Sequence, residues 1–282
     1  MATKLICDTN VFYNIAKGYD VNSFCSGNEQ LYYSPVTVAE LIAKLKDADQ
    51  LEFDNRRNVA KAIIDSDAIE LPDPESYIAT FFGLPAGDSI EWRILLEKFV
   101  ESLSLAELKT KINVNLAYDW WEDVKKDRYV HFFTEMKSQI PGFEVWFANR
   151  TTTSKPKPRL KGEAKQELLN SRKQLQWLGA ILVAMKDRAM HGSANKTQEV
   201  KLVTSGEYAH ALDMFECYSI VYMQYFSDLL TNGHLPQEND LADLELFIYA
   251  ADDNSVIVTF ERRWVAFARN AGYNARIRQL RV

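Results

Sequence analysis

The sequence predicts an α/β protein with a parallel sheet whose strands come from both ends of the chain. The first observation is that strand and helix patterns alternate in residues 1–50, and the second is that the same alternation returns in residues 235–282. Strands that alternate with helices form parallel sheets with helical crossovers. The composition is that of a globular protein, since 47% of the residues are hydrophobic and 26% are charged.

The N-terminal segment contains two strand patterns, each followed by a helix pattern. KLIC (4–7), with its apolar run LIC, predicts a buried strand that ends at Asp8, and VFYNIA (11–16) predicts the start of a helix. QLYYS (30–34) predicts the second strand. The following stretch, PVTVAELIAKLKDA, predicts the second helix because its apolar residues recur at helical spacing.

The C-terminal segment repeats this alternation. NDLADLELF begins a helix pattern whose apolar stripe continues to Ala251, and SVIVT (255–259) predicts a buried strand. ERRWVAFARNAG predicts another helix, with Gly272 well placed to cap its C-terminus. ARIRQLRV predicts the last strand.

Residues 51–234 predict a separate, mostly α-helical insertion. Long helix patterns dominate this segment, and VKLVT (200–204) is its only clear strand candidate. RTTTSKPKPRLK (150–161) carries five cationic residues and no acidic one, and its prolines predict an exposed loop. We therefore expect an α/β domain made of residues 1–50 and 235–282, interrupted by a helical lobe.

The residue content argues against several classes of site. Three cysteines form no CxxC pair and four histidines form no HxH or HExxH pattern, which disfavours a disulfide framework and a zinc site. The sequence contains no GxxxxGK[ST] or GxGxxG motif, so a P-loop or Rossmann nucleotide site is not supported. The most apolar long window, residues 208–230, holds four ionisable side chains, which disfavours a membrane span. We expect a cytoplasmic protein with no membrane association.

Acidic residues recur where the predicted strands end and where the predicted helices begin. In an open parallel sheet, ligands bind beyond the carboxyl ends of the strands, so we expect these residues at one rim. Two of them follow predicted strands and three lie at or near helix starts. The set is Asp8, Glu40, Asp240, Asp243 and Glu261.

Each of these acids also has a simpler structural explanation. Asp8 could cap the helix that follows it, and Thr37 and Glu40 have the spacing of a capping box. The other three could interact favourably with the positive ends of helix dipoles. Carboxylates that share one rim repel one another, however, unless a cation neutralises them. Mg²⁺ or Mn²⁺ suits such an all-oxygen set.

Four motifs, in this order along the chain, resemble the PIN-domain nucleases. They are LICDTNVF, SPVTVAELIAKL, DLELFIYAADDNSVIVT and VTFERRW. In that family a strand ends in DTN or DTS, a glutamate follows in a helix, and an aspartate heads a later helix before a strand that ends in Val-Thr. The resemblance covers residues 1–50 and 235–282. It implies a PIN-like parallel-sheet domain and a metal-dependent nuclease, most often one that acts on RNA.

The resemblance also implies roles for individual acids. The catalytic acids would be Asp8, Glu40, Asp243 and Glu261. Asp8, Glu40 and Asp243 would bind Mg²⁺ or Mn²⁺, and Asp240 is a further candidate ligand because it opens the same helix as Asp243.

Two polar residues would support the carboxylates, and two features depart from the family pattern. Asn10 and Thr259 would hold the ligand side chains and the nearby backbone in place. Glu261 stands where the family mostly has Asp or Asn. The interval between Glu40 and Asp243 is far longer than a compact PIN domain needs, which again indicates an inserted lobe.

The expected function is hydrolysis of single-stranded RNA by a Mg²⁺- or Mn²⁺-dependent endoribonuclease, with DNA as an alternative substrate. Glu261 keeps open a catalytically inactive PIN-like protein that binds RNA or acts as a scaffold. A phosphatase with an aspartyl nucleophile is disfavoured, because Asn10 stands where a second aspartate would be expected. An inhibitory protein partner and a homo-oligomer also stay open. The candidate RNA-binding residues are Lys155, Lys157, Arg159 and Lys161.

Overall fold

The computed structural model describes residues 2–45, 48–81, 91–114, 118–119, 213–232 and 238–281. The strands in these ranges are β1 (Thr3–Cys7), β2 (Glu29–Tyr33), β3 (Ile69–Glu70), β4 (Ser255–Thr259) and β5 (Ile277–Gln279). They form one sheet in the order β3-β2-β1-β4-β5, and every neighbouring pair is parallel. The predicted α/β class and the predicted parallel sheet are confirmed.

Side chains of β1 alternate between two hydrophobic clusters on opposite faces of the sheet. Leu5 and Cys7 belong to one cluster, and Ile6 belongs to the other. All three are completely buried, with 0% exposure. Parallel strands that are covered by helices on both faces are apolar throughout. This explains why the first strand appears in the sequence as a continuous apolar run.

Helices from the first part of the chain cover mainly the face that contains Leu5. They are α1 (Thr9–Ala16), α2 (Pro35–Ala43), α3 (Gln50–Asp65), α4 (Pro74–Phe81), α5 (Trp92–Glu101) and α6 (Leu105–Lys111). All of these except α4 contribute buried side chains to the cluster of Leu5, whereas Tyr77 and Ile78 of α4 join the cluster of Ile6. Helix α3 packs against both α1 and α5.

The face that contains Ile6 is covered mainly by helices from the second part of the chain. These are α7 (Glu216–Asn232), α8 (Glu238–Glu245) and α9 (Arg262–Asn270), and a 3₁₀ segment (Leu246–Ala251) follows α8. Helix α7 packs on α9 through aromatic rings: the ring centres of Tyr225 and Trp264 lie 5.8 Å apart. None of the helices in the described ranges is long and apolar enough to cross a membrane.

Helix α9 ends at the predicted glycine cap. Gly272 has a φ of +89°, a left-handed conformation that glycine adopts without steric cost. Its N–H donates to the carbonyl of Arg269 at 3.0 Å, and the N–H of Tyr273 donates to the carbonyl of Ala268 at 2.8 Å. These two bonds form a Schellman motif, so this part of the prediction is confirmed.

Part of the segment predicted as an insertion lies in the same layers as the rest of the chain. Strand β3 was not predicted, and it pairs with β2 at Tyr32 and Tyr33. Helices α3 and α5 share the hydrophobic cluster that contains Leu5. The division into two domains stays a prediction. The predicted strand at 200–204 and the cationic loop at 150–161 lie outside the described residues.

Candidate active site

The candidate site lies at the carboxyl ends of β1 and β4. The chain passes from β1 to β2 on one side of the sheet and later returns to β4 on the other side of β1. Open α/β sheets bind ligands at this topological switch point. Asp8 directly follows β1, and its N–H donates to the carbonyl of Val258 at 3.0 Å. Glu261 follows β4 by two residues, so both acids reach the same rim.

Two polar side chains hold the carboxylate of Asp8, which is only 6% exposed. The Thr259 hydroxyl donates to Oδ2 at 2.9 Å, and the Asn10 amide donates to the same oxygen at 2.5 Å. Thr259 Oγ1 also accepts the N–H of Glu261 at 3.0 Å, and Asn10 Oδ1 accepts the N–H of Phe260 at 3.3 Å. Asn10 and Thr259 therefore join the ends of the two central strands around Asp8.

Helix capping does not account for three of the acids. Asp8 and Glu261 occupy the N-cap positions of α1 and α9, but neither side chain makes a capping hydrogen bond. The N-cap of α2 is Ser34, so Thr37 lies inside that helix. The capping box considered for Thr37 and Glu40 is therefore wrong.

Glu40 lies near Asp8 but is engaged by a cation of its own helix. Its Oε1 lies 2.5 Å from Nζ of Lys44, the C-cap residue of α2, four positions further along the chain. The negative charge of Glu40 nevertheless contributes to raising the pKa of Asp8, so the two carboxylates interact. A cation bound at the rim would have to compete with Lys44 for Glu40.

The remaining acids of the rim are coupled electrostatically. Burial raises the pKa of Asp8 to about 7, and the charge of Glu261 acts in the same direction. Burial also raises the pKa of Asp243 well above its ordinary value, with further contributions from the charges of Asp8, Glu261 and Glu40. Partial burial raises the pKa of Glu261, and a hydrogen bond from Asn10 opposes that shift. Carboxylates that are both buried and close together are costly to ionise.

Asp240 has different surroundings from the other acids. It is 4% exposed, and its two oxygens are held by two other helices. Oδ2 accepts the Tyr225 hydroxyl at 3.0 Å, and Oδ1 accepts Nη1 of Arg263 at 3.0 Å. Its charge reaches the rim, where it contributes to raising the pKa of Asp243.

The chemistry of the donors fits a hard cation, although the side chains are not gathered around one point. In the ranges described, no group of three or more Asp, Glu, His or Cys residues is arranged so that it could hold a metal ion. The interacting groups are nevertheless all carboxylates, the ligands that Mg²⁺ and Mn²⁺ prefer. Burial is the main cause of the raised pKa values of Asp8 and Asp243, and repulsion by the neighbouring carboxylates adds to it. A bound cation would relieve that repulsion.

No family model, curated protein or solved structure matches this chain. The residues at the rim are therefore the basis on which a function can be assigned. Three of those residues were not among the sequence-predicted site residues: Lys44, Tyr225 and Arg263. The spacing of Lys44 from Glu40 is a visible i, i+4 signal. Nothing in the sequence pairs Tyr225 with Asp240, because that contact depends on how α7 packs beside α8.

Proposed function

We propose that this chain is a metal-dependent nuclease with a PIN-like fold, and that it hydrolyses phosphodiester bonds in single-stranded RNA. The observation that carries the proposal is the electrostatic coupling of Asp8, Asp243 and Glu261 at the switch point of a parallel sheet. Such coupling raises the free energy of the ion-free site, and a divalent cation would lower it.

The positions of the acids along the fold support the PIN-like assignment. Asp8 follows β1, Glu40 lies in the helix after β2, and Asp243 lies in the helix that precedes β4. Thr259 ends β4 and contacts Asp8 directly. The motifs behind the resemblance thus fall on neighbouring elements of one sheet. An α/β domain made from both chain ends, a helical insertion and a cytoplasmic location belong to the same proposal.

The roles of the acids follow from the resemblance and from their electrostatic interactions. Asp8, Glu40 and Asp243 would hold Mg²⁺ or Mn²⁺, and Glu261 would be the fourth catalytic acid. A bound ion would supply Lewis-acid stabilisation of the phosphodiester and activation of the attacking water. Asn10 and Thr259 orient Asp8, since both of their hydrogen bonds to it reach Oδ2.

A second candidate is a catalytically inactive PIN-like protein that binds RNA or serves as a scaffold. The observation that favours it is the contact of 2.5 Å between Glu40 Oε1 and Lys44 Nζ, because a metal ion would compete with Lys44 for Glu40. The two candidates differ in whether RNA is cleaved, so a cleavage experiment separates them.

The test compares three proteins on end-labelled single-stranded RNA with Mn²⁺: the wild type, Asp8→Asn and the control Asp65→Asn. Asp65 is an exposed residue at the end of α3, so its substitution makes the same charge change away from the rim. Asn at position 8 keeps an oxygen for the two donors that now reach Oδ2, so the fold should survive. We expect cleavage by the wild type and by Asp65→Asn, and a loss of at least about 100-fold in Asp8→Asn.

Three results would change the assignment. Cleavage that continues in excess EDTA, or at the wild-type rate in Asp8→Asn, would contradict the proposal. RNA that is bound but not cut by the wild type would favour the inactive candidate. Faster cleavage of single-stranded DNA than of RNA would replace the proposed substrate.

A further inference from the structure

We infer that Asp240 is a positioning residue, held by Tyr225 and Arg263, which fixes the helix that carries Asp243 against the helix that begins at Glu261. The three residues Tyr225, Asp240 and Arg263 are called the Asp240 clamp below. The inference deepens the proposed function and rests on it, since it assigns to Asp240 a role other than that of a metal ligand.

The clamp joins three helices. Tyr225 lies in α7, Asp240 in α8 and Arg263 in α9. The two hydrogen bonds to Asp240 are both 3.0 Å long, and each one reaches a different carboxylate oxygen. Because both oxygens accept a donor from another helix, the carboxylate of Asp240 is fixed in one orientation between α7 and α9.

Asp240 and Asp243 are three residues apart, so they lie on neighbouring positions of one helix face. Fixing Asp240 therefore fixes the turn that presents Asp243 to the rim. Arg263 is similarly two residues after Glu261 and lies in the first turn of α9. The ion pair between Asp240 and Arg263 thus ties α8, which carries Asp243, to the start of α9, where Glu261 is the N-cap.

The guanidinium of Arg263 packs against aromatic rings of the helix interface, although 31% of the side chain is exposed. Its central carbon lies 5.1 Å from the ring centre of Tyr225, 5.3 Å from that of Trp264 and 5.6 Å from that of Phe267. Its Nε and Nη2 atoms are buried and have no hydrogen-bond partner within the described ranges. A phosphate-binding arginine would expose these donors, so a packed cation that orients Asp240 fits the contacts better.

The experiment measures the dissociation constant of Mn²⁺ by electron paramagnetic resonance, without RNA, for Asp240→Asn, Arg263→Met and the double variant. Arg262→Met is the matched control, because Arg262 is the exposed neighbour of Arg263 in the same turn. If the clamp positions Asp243, both single variants should weaken Mn²⁺ binding, by about 10-fold or more. The double variant should be no weaker than the weaker single variant, because the two changes break one interaction. Arg263→Lys should recover part of the loss.

Whether Arg263→Met weakens or strengthens Mn²⁺ binding distinguishes a positioning role of Asp240 from a role as a direct metal ligand. Removing a nearby cation should strengthen Mn²⁺ binding if Asp240 is a direct ligand, since Arg263 then competes with the metal. Tighter or unchanged binding in Arg263→Met would therefore overturn the inference.

If the wild type binds no Mn²⁺, the proposed function is contradicted, but the contacts of the Asp240 clamp still have to be tested. In that case amide hydrogen exchange tests the clamp directly. Arg263→Met should increase exchange in α8 relative to Arg262→Met, and equal exchange in the two variants would overturn the inference.

Discussion

The hydrogen bonds to Asp8 and the charges around it have opposite effects on the pKa of its carboxylate. Hydrogen bonds from Thr259 and Asn10 stabilise the carboxylate, whereas burial and the charge of Glu261 disfavour its ionised form. The net result is a pKa raised to about 7. A side chain held in place at an electrostatic cost is typical of functional sites.

This balance predicts how the stability of the metal-free protein depends on pH. The folded protein binds the Asp8 proton more tightly than the unfolded chain does, since the pKa rises from 3.8 to about 7 on folding. Stability from this group is therefore fully present below about pH 4 and is lost as the pH rises to about 7. Asn at this position cannot ionise, so Asp8→Asn should be more stable than the wild type at pH 8 by about 1–3 kcal/mol.

Urea unfolding in EDTA between pH 4 and pH 8 measures this difference. The gap between Asp8→Asn and the wild type should shrink as the pH falls, and Asp65→Asn should follow the wild type throughout. A wild type that gains stability relative to Asp8→Asn as the pH rises would contradict the raised pKa.

Site residues at the ends of strands could be predicted from the sequence. Contacts between side chains of different helices could not. Asp8 and Thr259 each adjoin or end a short apolar run, and adjacent parallel strands bring such residues to one edge. Glu40 was anticipated too, and the i, i+4 spacing of Lys44 from it is visible in the sequence, although Lys44 was not among the predicted site residues. The contact between Tyr225 and Asp240 depends on the angle at which α7 meets α8, which no local pattern encodes.

At the scale of elements, the shortest strand in the described ranges, β3, was the one that the sequence did not predict. Strands β1, β2 and β4 have five residues each, long enough for a buried apolar run to stand out. Strand β3 has only two residues, and its Ile69 is 45% exposed. It is placed by pairing with β2, so its position depends on a neighbour and not on its own sequence.

The end of α9 gives a prediction for a single element. Ala at position 272 would have to adopt the φ of +89° that glycine now takes, although nothing lies within 4 Å of the added methyl group. The cost is therefore backbone strain alone, and Gly272→Ala should lower the free energy of unfolding by about 1 kcal/mol. Gly272→Asn should lose less, because Asn tolerates the left-handed region better.

Gly27→Ala is the matched control, since its added methyl group also meets nothing within 4 Å and its backbone does not require glycine. Chemical denaturation of the three variants and the wild type gives the comparison. Equal stabilities of Gly272→Ala and Gly27→Ala would mean that the Schellman motif does not depend on glycine.

For the whole molecule, the sequence predicted the parallel sheet but not how far along the chain it extends. Alternation of strands and helices indicates parallel pairing, and the pattern is clear at both ends of the chain. Helices α3 and α5 have the patterns of ordinary amphipathic helices, which do not reveal what they cover. Their packing against the cluster that contains Leu5 appears only once the sheet is assembled.

The net charge of the whole molecule limits how it can bind RNA. A formal charge of −6 gives no general attraction to a polyanion, so the proposed substrate requires a local group of cations. Residues 150–161 are the candidate, with Lys155, Lys157, Arg159 and Lys161. Replacing these four residues with Ala should weaken RNA binding. It should also flatten the dependence of affinity on salt, by about 0.7 in the logarithmic slope for each phosphate contact that is lost.

The control removes the same number and kind of charges elsewhere. Its four Ala substitutions fall on three exposed lysines and one exposed arginine, namely Lys17, Lys61, Lys109 and Arg269. Both quadruple variants lower the net charge by the same amount, so a difference between them reports where the cations lie and not how many there are. Fluorescence anisotropy with labelled single-stranded RNA over a range of KCl concentrations measures both slopes. Equal salt dependences of RNA affinity in the two variants would mean that residues 150–161 do not contact RNA, because a local contact must release more counterions than a distant charge.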